Sequence, residues 1–163
     1  MTILEETEAD FDGIDRVNRE AFGGDGEASL VRKLRENDHL ILSLVAKTDS
    51  GEIVGHIAYS PLSGHDSGAG LAPLSVLPGF QKSGIGTQLV RASLPILREH
   101  GIGFVVVLGE PEYYSRFGFE RADERGLQNE YGAGPAFRVL ELRPDGLEGV
   151  AGLIRYAPEF GEL

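Results

Sequence analysis

Residues 70–100 read GLAPLSVLPGFQKSGIGTQLVRASLPILREH, and this stretch organises the rest of the chain. Its pattern predicts an apolar strand over 71–77, then a proline turn, a glycine-rich bend and a long helix. The bend, Gln81–Gly86, contains Gly84 and Gly86, which have no Cβ and so let the backbone approach a ligand closely. The first turn of the helix adds unpaired N–H groups and the positive end of a dipole. The stretch therefore predicts a cradle for an anion such as a phosphate or pyrophosphate.

Two common phosphate-binding motifs do not fit this bend. Gly79 and Gly84 have the spacing found in the phosphate loop of nucleotide hydrolases. However, Ile85 and Gly86 stand where that loop needs a lysine and a hydroxyl residue. A dinucleotide fingerprint would need a third glycine at the position of Leu89. Neither motif accounts for the cradle.

Size and composition indicate one compact domain over 1–163, because 163 residues with 41% hydrophobic content can bury a sizeable core. No apolar run is long enough to span a membrane, and the first residues lack the features of a secretory signal. The absence of cysteine excludes disulfides, thiolate metal sites and a cysteine nucleophile. His39, His65 and His100 show no ligand spacing, so no metal is expected. We expect a cytoplasmic protein.

The remaining elements are predicted from periodicity and turn residues. Further strands are predicted at 2–5, 40–47, 52–62, 104–108, 119–121 and 136–142, with a last one in the tail, 152–160. Helices are predicted at 7–22, 26–37, from 85 to a cap at Gly101, and over a short segment ending at 117. Polar or glycine-rich loops are predicted at 63–68 and 126–135, and the joint between the first two helices is expected to be mobile. Pro95 is expected to bend or interrupt the last turn of its helix.

The bend resembles a known family signature. Val76-x-Pro78, followed by Gln81-x-x-Gly84-x-Gly86 and an amphipathic helix, is similar to the acyl-CoA signature of the GNAT superfamily of N-acetyltransferases, Gln/Arg-x-x-Gly-x-Gly/Ala.

A second segment supports the resemblance. Tyr114–Phe119, YSRFGF, resembles the family's Tyr-x-Lys-x-Gly-Phe segment, with Arg116 in place of the lysine. The compact link 109–111 also departs from the family, which often has an asparagine-containing stretch there. The two motifs occur in the family's order.

The resemblance implies a fold and an activity. The expected fold is α/β: a single GNAT-like domain with a mixed, twisted sheet of six or seven strands flanked by helices on both faces. Strands 71–77 and 104–108 would splay apart and admit the cofactor. The expected activity is acetyl transfer from acetyl-CoA, without a metal, to a primary amine by direct attack in a ternary complex. A small-molecule acceptor is favoured over a peptide amine, and a homodimer is compatible with the resemblance.

The resemblance also implies the binding residues. The backbone of Leu74, Ser75 and Val76 would pair with the pantetheine arm, and an N–H near Val76 would polarise the thioester carbonyl. The pyrophosphate would be held by backbone N–H groups of the bend and helix start. The implied cofactor residues there are Gln81, Lys82, Ser83, Gly84, Ile85, Gly86 and Thr87, with Arg116 from the second motif.

The resemblance implies a general acid but leaves the general base open. Tyr114 aligns with the family's general acid, and a phenol with pKa near 10 can protonate a departing thiolate of pKa near 8.5. Tyr113 is expected to face elsewhere and pack. A protonated amine must also lose a proton. Glu110, Glu112, His56 and a water chain all stay open as its acceptor.

The formal charge of −11 argues against a nucleic-acid partner, since phosphate backbones are held by clustered Lys and Arg. Lys82, Arg91 and Arg116 lie in or near the two motifs, whereas acidic residues crowd 5–27 and 110–130. The acidity serves solubility or favours cationic amine substrates.

Two other functions are compatible with the motifs. A non-catalytic acyl-CoA-binding sensor would need the glycines of the bend but not Tyr114. An acyltransferase for a longer acyl group would differ in pocket depth, which the sequence does not reveal.

Overall fold

The computed structural model describes residues 1–162. Its strands are β1 (Thr2–Glu5), β2 (Leu42–Lys47), β3 (Ile53–Leu62), β4 (His65–Val76), β5 (Phe104–Leu108), β6 (Glu120–Arg121), β7 (Leu127–Asn129), β8 (Phe137–Glu141) and β9 (Gly152–Ile154). Its α-helices are α1 (Phe11–Phe22), α2 (Gly26–Glu36), α3 (Ile85–Glu99) and α4 (Pro111–Ser115). Short 3-10 turns occur at Glu8–Asp10, Pro78–Phe80, Asp123–Arg125, Gly134–Ala136 and Pro158–Glu162. Within residues 1–162, no helix has both the length and the apolar character needed to cross a membrane.

Seven strands form the main sheet in the order β1-β2-β3-β4-β5-β8-β6. All neighbours are antiparallel except β4 and β5, which run parallel. The parallel pair is possible because α3 connects the two strands as a crossover. The sheet is therefore mixed and seven-stranded, which confirms the predicted fold class.

Helices cover both faces of the sheet, as two adjacent residues of β3 show. A Cβ added to Gly55 would lie 2.9 Å from Ile85 and 3.1 Å from Leu89, so α3 packs closely on this face. The next residue, His56, lies 3.2 Å from the side chain of Asn18 on α1. Successive strand residues point to opposite faces, so α1 and α3 lie on opposite sides of the sheet.

Three segments differ from the sequence prediction. Residues 63–68 are not a polar loop, because β4 already begins at His65 and pairs with Leu62 of β3. Helix α3 is not interrupted at Pro95 and runs to Glu99. Pro95 lies on the exposed side of the helix, where water can replace the lost backbone bond. The predicted loop 126–135 contains β7, which pairs in parallel with the tail strand β9 in a separate two-stranded sheet.

The parallel pair β4–β5 opens into a fork. The two strands pair only from Gly68 opposite Phe104 to Gly70 opposite Val106. Beyond that point β4 continues to its end at Val76, and β5 continues to its end at Leu108. On its other edge, β4 stays paired with β3, with a register shift that places an additional β4 residue between the paired positions. The predicted splaying of these two strands is therefore present.

Candidate active site

A cleft of about 650 Å³ lies on the open side of the fork. Its volume falls within the range of about 300–1,000 Å³ that is usual for small-molecule sites. Most of the predicted cofactor residues line it, namely Leu74, Val76, Gln81, Lys82, Gly84, Ile85, Gly86, Thr87 and Arg116. Two do not line it: the side chain of Ser75 is buried, and the hydroxyl of Ser83 donates to the Phe80 carbonyl. The structure thus brings the two sequence motifs together around one cavity.

The open edge of β4 presents backbone N–H groups to this cleft. The N–H of Leu77 donates to the Val54 carbonyl of β3 at 2.9 Å, so it faces away from the fork. Backbone groups alternate sides along a strand, so the N–H groups of Leu74 and Val76 face the fork. The Val76 carbonyl faces the same way and accepts a hydrogen bond from Gln81 Nε2 at 3.0 Å. An extended ligand can therefore pair with this edge as an added strand.

The bend before α3 has the geometry of an anion site. Lys82 and Gly84 have φ values of 62° and 88°, which turn successive N–H groups toward one side. The first helical bond runs from the Gln88 N–H to the Gly84 carbonyl at 3.0 Å. The N–H groups of residues 85–87 precede it and have no partner inside the helix. The exposed cations Lys82 and Arg116 add positive charge to a chain that is acidic overall.

Two adjacent tyrosines occupy different positions. Tyr113 lines the cleft, with its hydroxyl 3.5 Å from Thr87 Oγ1 and the Arg116 guanidinium 4.7 Å from its ring centre. The expectation that Tyr113 faces elsewhere is therefore wrong, although Tyr113 also packs against the core as predicted. Tyr114 is buried, and its ring lies directly over Gly109, leaving no room for a Cβ there. Both residues lie on α4, which places one ring in the cleft and the other beneath it.

The environment of Tyr114 keeps its phenol protonated. Burial raises the pKa of Tyr114 above its ordinary value, and the neighbouring Tyr113 raises it further. The ring packs edge-to-face against Tyr113 and Phe119 at centroid distances of 5.0 and 5.5 Å. The hydroxyl therefore stays protonated, and aromatic packing holds the ring in place.

The three candidate bases have different surroundings. Glu110 is exposed and lines the cleft, and Glu112 is exposed on α4. His56 is fully buried and lies outside the cleft, between Ser43 Oγ at 2.8 Å and Asn18 Nδ2 at 3.2 Å. Its burial lowers the pKa of His56 to about 4. His56 is therefore not placed to accept a proton from a substrate in the cleft.

A chain of hydrogen bonds fixes the tautomer of His56. The hydroxyl of Ser43 donates to Glu6 at 2.6 Å, so its oxygen accepts from His56 Nε2–H. The other ring nitrogen, Nδ1, then accepts from Asn18. Glu6 in turn accepts two bonds from Arg35 of α2, both at 2.9 Å. The network is a structural connection between α1, α2 and the sheet.

The described residues contain no group of three or more histidine, cysteine, aspartate or glutamate side chains placed to hold a metal ion.

The family model for the acetyltransferase (GNAT) family matches residues 11–119. The chain belongs to this family.

Several relatives of this GNAT chain are similar over their whole length. It is 43% identical to the uncharacterized N-acetyltransferase YhbS of Escherichia coli K12 over 167 aligned positions, covering 100% of both chains. A crystal structure of E. coli YhbS in complex with CoA has a TM-score of 0.93 and 41% identity, covering 98% of this chain and 91% of that one. A GNAT acetyltransferase from Brucella melitensis in complex with acetyl-CoA has a TM-score of 0.82 and 35% identity, covering 98% and 97%. Family and fold confirm the predicted class, an acetyl-CoA-dependent N-acetyltransferase.

Two features of this GNAT site were missed by sequence reasoning. The first is Tyr113 in the cleft, which the helical spacing of a five-residue helix leaves ambiguous. The second is an aromatic pocket of about 310 Å³ on the other side of the fork, where Tyr131, Tyr156 and Phe160 converge with Leu71 and Leu108. Its aromatic residues come from the tail and the glycine-rich loop, and no sequence motif joins those segments to β4.

Stability of this GNAT chain is expected to depend on pH through His56. In the unfolded chain, the side chain of His56 binds a proton below about pH 6.5. In the folded protein, burial lowers the pKa of His56 to about 4, so the proton binds only near that pH. The free energy of unfolding should therefore decrease by about 2 kcal/mol between pH 7 and pH 5. Urea denaturation at several pH values measures this free energy.

His56→Gln should flatten the pH dependence between pH 7 and pH 5, whereas His100→Gln, at an exposed histidine, should leave that dependence unchanged. Equal pH dependence in the two variants would contradict the assignment.

Proposed function

We propose that this chain transfers the acetyl group of acetyl-CoA to a primary amine, on a small molecule rather than a protein, by direct attack in a ternary complex. The observation that carries the proposal is the open edge of β4, whose N–H groups at Leu74 and Val76 lead into the start of α3. One continuous segment can thus hold a thioester arm and a diphosphate in sequence. The CoA complex of E. coli YhbS and the acetyl-CoA complex from B. melitensis support this ligand.

The binding roles follow from the geometry of that segment. The backbone of Leu74, Ser75 and Val76 pairs with the pantetheine arm, and an N–H at Leu74 or Val76 polarises the thioester carbonyl. The N–H groups of residues 81–87 hold the pyrophosphate at the positive end of α3, where Lys82 adds its ammonium charge. Arg116 contributes a second cation at the mouth of the cleft.

The chemistry needs two proton transfers. The amine nitrogen attacks the carbonyl carbon, a C–N bond forms, and the C–S bond breaks. Tyr114 gives its proton to the departing thiolate and regains one from solvent. The raised pKa of Tyr114 keeps the phenol protonated at neutral pH but makes it a weaker acid than a free phenol. Glu110, Glu112 or a water chain takes the proton that the amine loses.

Replacing Tyr114 separates catalysis from binding. Tyr114→Phe keeps the ring packing but removes the hydroxyl, so turnover should fall by at most about a hundred- to thousand-fold. The dissociation constant of acetyl-CoA should change little. Steady-state thiol release with a panel of amines gives the first quantity, and calorimetry gives the second. Tyr113→Phe is the matched comparison, because its hydroxyl lies in the cleft and should affect binding more than turnover. Unchanged turnover in Tyr114→Phe would remove Tyr114 from the mechanism.

The glycine at the start of α3 allows a controlled test of the diphosphate site. Gly84 and Gly101 flank the two ends of α3 with φ values of 88° and 85°, and nothing lies within 4 Å of an added Cβ at either. Alanine at either position should cost about 1–2 kcal/mol of stability through the same backbone strain. Only Gly84→Ala should weaken acetyl-CoA binding, by roughly tenfold or more, because only that strain displaces the cradle.

Calorimetry of the two variants at equal folded fraction measures the difference. Equal acetyl-CoA affinity in both would contradict the assignment of this bend to the diphosphate. Tight binding of acetyl-CoA with no thiol release for any amine would instead indicate a sensor.

A further inference from the structure

The aromatic pocket beyond the fork shares β4 with the acetyl-CoA cleft. Ala72, Leu74 and Val76 are the half-buried residues of the last part of β4, and they alternate with buried neighbours. Ala72 lines the aromatic pocket, whereas Leu74 and Val76 line the cleft. The register shift between Leu71 and Leu74 puts Ala72 on the opposite face of β4 from Leu74 and Val76. The two cavities therefore lie on opposite faces of β4, about 7 Å apart along the strand, and meet at its open edge. The end of β5, Leu108, forms part of the pocket wall on the other side.

The lining of the pocket is apolar and aromatic. Its residues are Leu71, Ala72, Leu108, Tyr131, Tyr156 and Phe160, together with the backbone of Gly161. None of these side chains carries a charge at pH 7. Burying a charge without a partner costs free energy, so this pocket would disfavour binding of a molecule with several positive charges.

One residue of the pocket wall has a buried polar atom without a partner. The hydroxyl of Tyr156 makes no hydrogen bond to any described residue, although Tyr156 is only 5% exposed. Its ring lies against Gly70 of β4, where an added Cβ would come within 2.8 Å of two ring carbons. Because this hydroxyl is enclosed by the protein, Tyr156 offers the pocket its aromatic ring rather than its hydroxyl.

Two acidic side chains hold the pocket walls in place. Glu130, beside Tyr131, accepts a hydrogen bond from the Tyr156 N–H at 3.2 Å and so fastens the loop to the tail. Glu159, beside Phe160, accepts bonds from Asn37 at 3.1 Å and His39 at 2.6 Å. Burial opposes its charge, but these hydrogen bonds hold the pKa of Glu159 below its ordinary value. The pocket is therefore preformed rather than dependent on a ligand to close it.

We infer that this pocket binds the body of the acceptor, and that the acceptor is a small monoamine with an aromatic or branched alkyl group. The inference rests on the proposed function, because it places the amine beside the thioester at the junction of the two cavities. The volume of about 310 Å³ suits a small molecule. The net charge of −11 favours the approach of a cationic amine over an amino acid carboxylate. Polyamines and aminoglycosides would place further charges against apolar walls.

The test compares four probes and three variants. Phenethylamine represents the inferred class, and phenylalanine, spermidine and kanamycin add a carboxylate or further charges. Thiol release from acetyl-CoA gives kcat/KM for each. Saturation-transfer NMR gives binding of the same probes to the protein saturated with CoA, which cannot react.

Leu108→Asp and Tyr131→Asp place a charge in the pocket wall. Leu153→Asp is the matched control for Leu108→Asp. The two leucines are similarly exposed, at 41% and 37%, but Leu153 lies outside the pocket.

The inference predicts that phenethylamine has at least a tenfold higher kcat/KM than the other probes. Leu108→Asp and Tyr131→Asp should lower that value at least tenfold with unchanged acetyl-CoA affinity, and Leu153→Asp should not. Binding of phenethylamine that is lost in the pocket variants, without turnover, would support the pocket and overturn the proposed transfer. Faster turnover of spermidine or kanamycin, unaffected by the pocket variants, would overturn the pocket and leave the transfer intact. Absence of both binding and turnover would overturn both.

Discussion

The parallel strands β4 and β5 hydrogen-bond as far as Gly70 and Val106 and then separate. This separation is the constraint on which the candidate site depends. A strand in the middle of a sheet normally has partners on both edges, and unpaired backbone groups in a sheet readily accept another extended chain. At Leu74 and Val76, β4 keeps its partner on the β3 side only. In the proposed complex, the pantetheine arm would supply the missing partner without any side chain having to recognise it.

The fork also explains why two cavities of different chemistry lie next to each other. One side is bounded by the start of α3, whose backbone and nearby cations suit an anion. The other is bounded by aromatic side chains of the tail and the loop, which suit an apolar body. Glu130 and Glu159 fasten those aromatic walls. The buried network through His56 fastens α1 and α2 to the face of the sheet opposite α3. Polar groups inside the protein thus position the walls of the two cavities.

Much of this arrangement could be predicted from the sequence because its signals are local. The apolar strand, the glycines of the bend and the helix that follows lie within one stretch, and their order identifies the cleft. The aromatic pocket could not be predicted, since Tyr131 and Tyr156 meet β4 only through long-range packing. His56 was a reasonable candidate base by sequence position, but the alternation of β3 places its ring under α1. Residues 63–68 have a loop-like composition, and pairing with β3 and β5 overrides it.

The most direct test of the open edge is residue-resolved amide hydrogen exchange by NMR, with and without acetyl-CoA. In the free protein, the amides of Ser75 and Leu77 should be protected because they face β3, whereas those of Leu74 and Val76 should exchange quickly. Saturating acetyl-CoA should slow exchange at Leu74 and Val76 and leave the other two nearly unchanged. Protection of Leu74 and Val76 in the free protein, or no response of these amides to acetyl-CoA, would contradict the account.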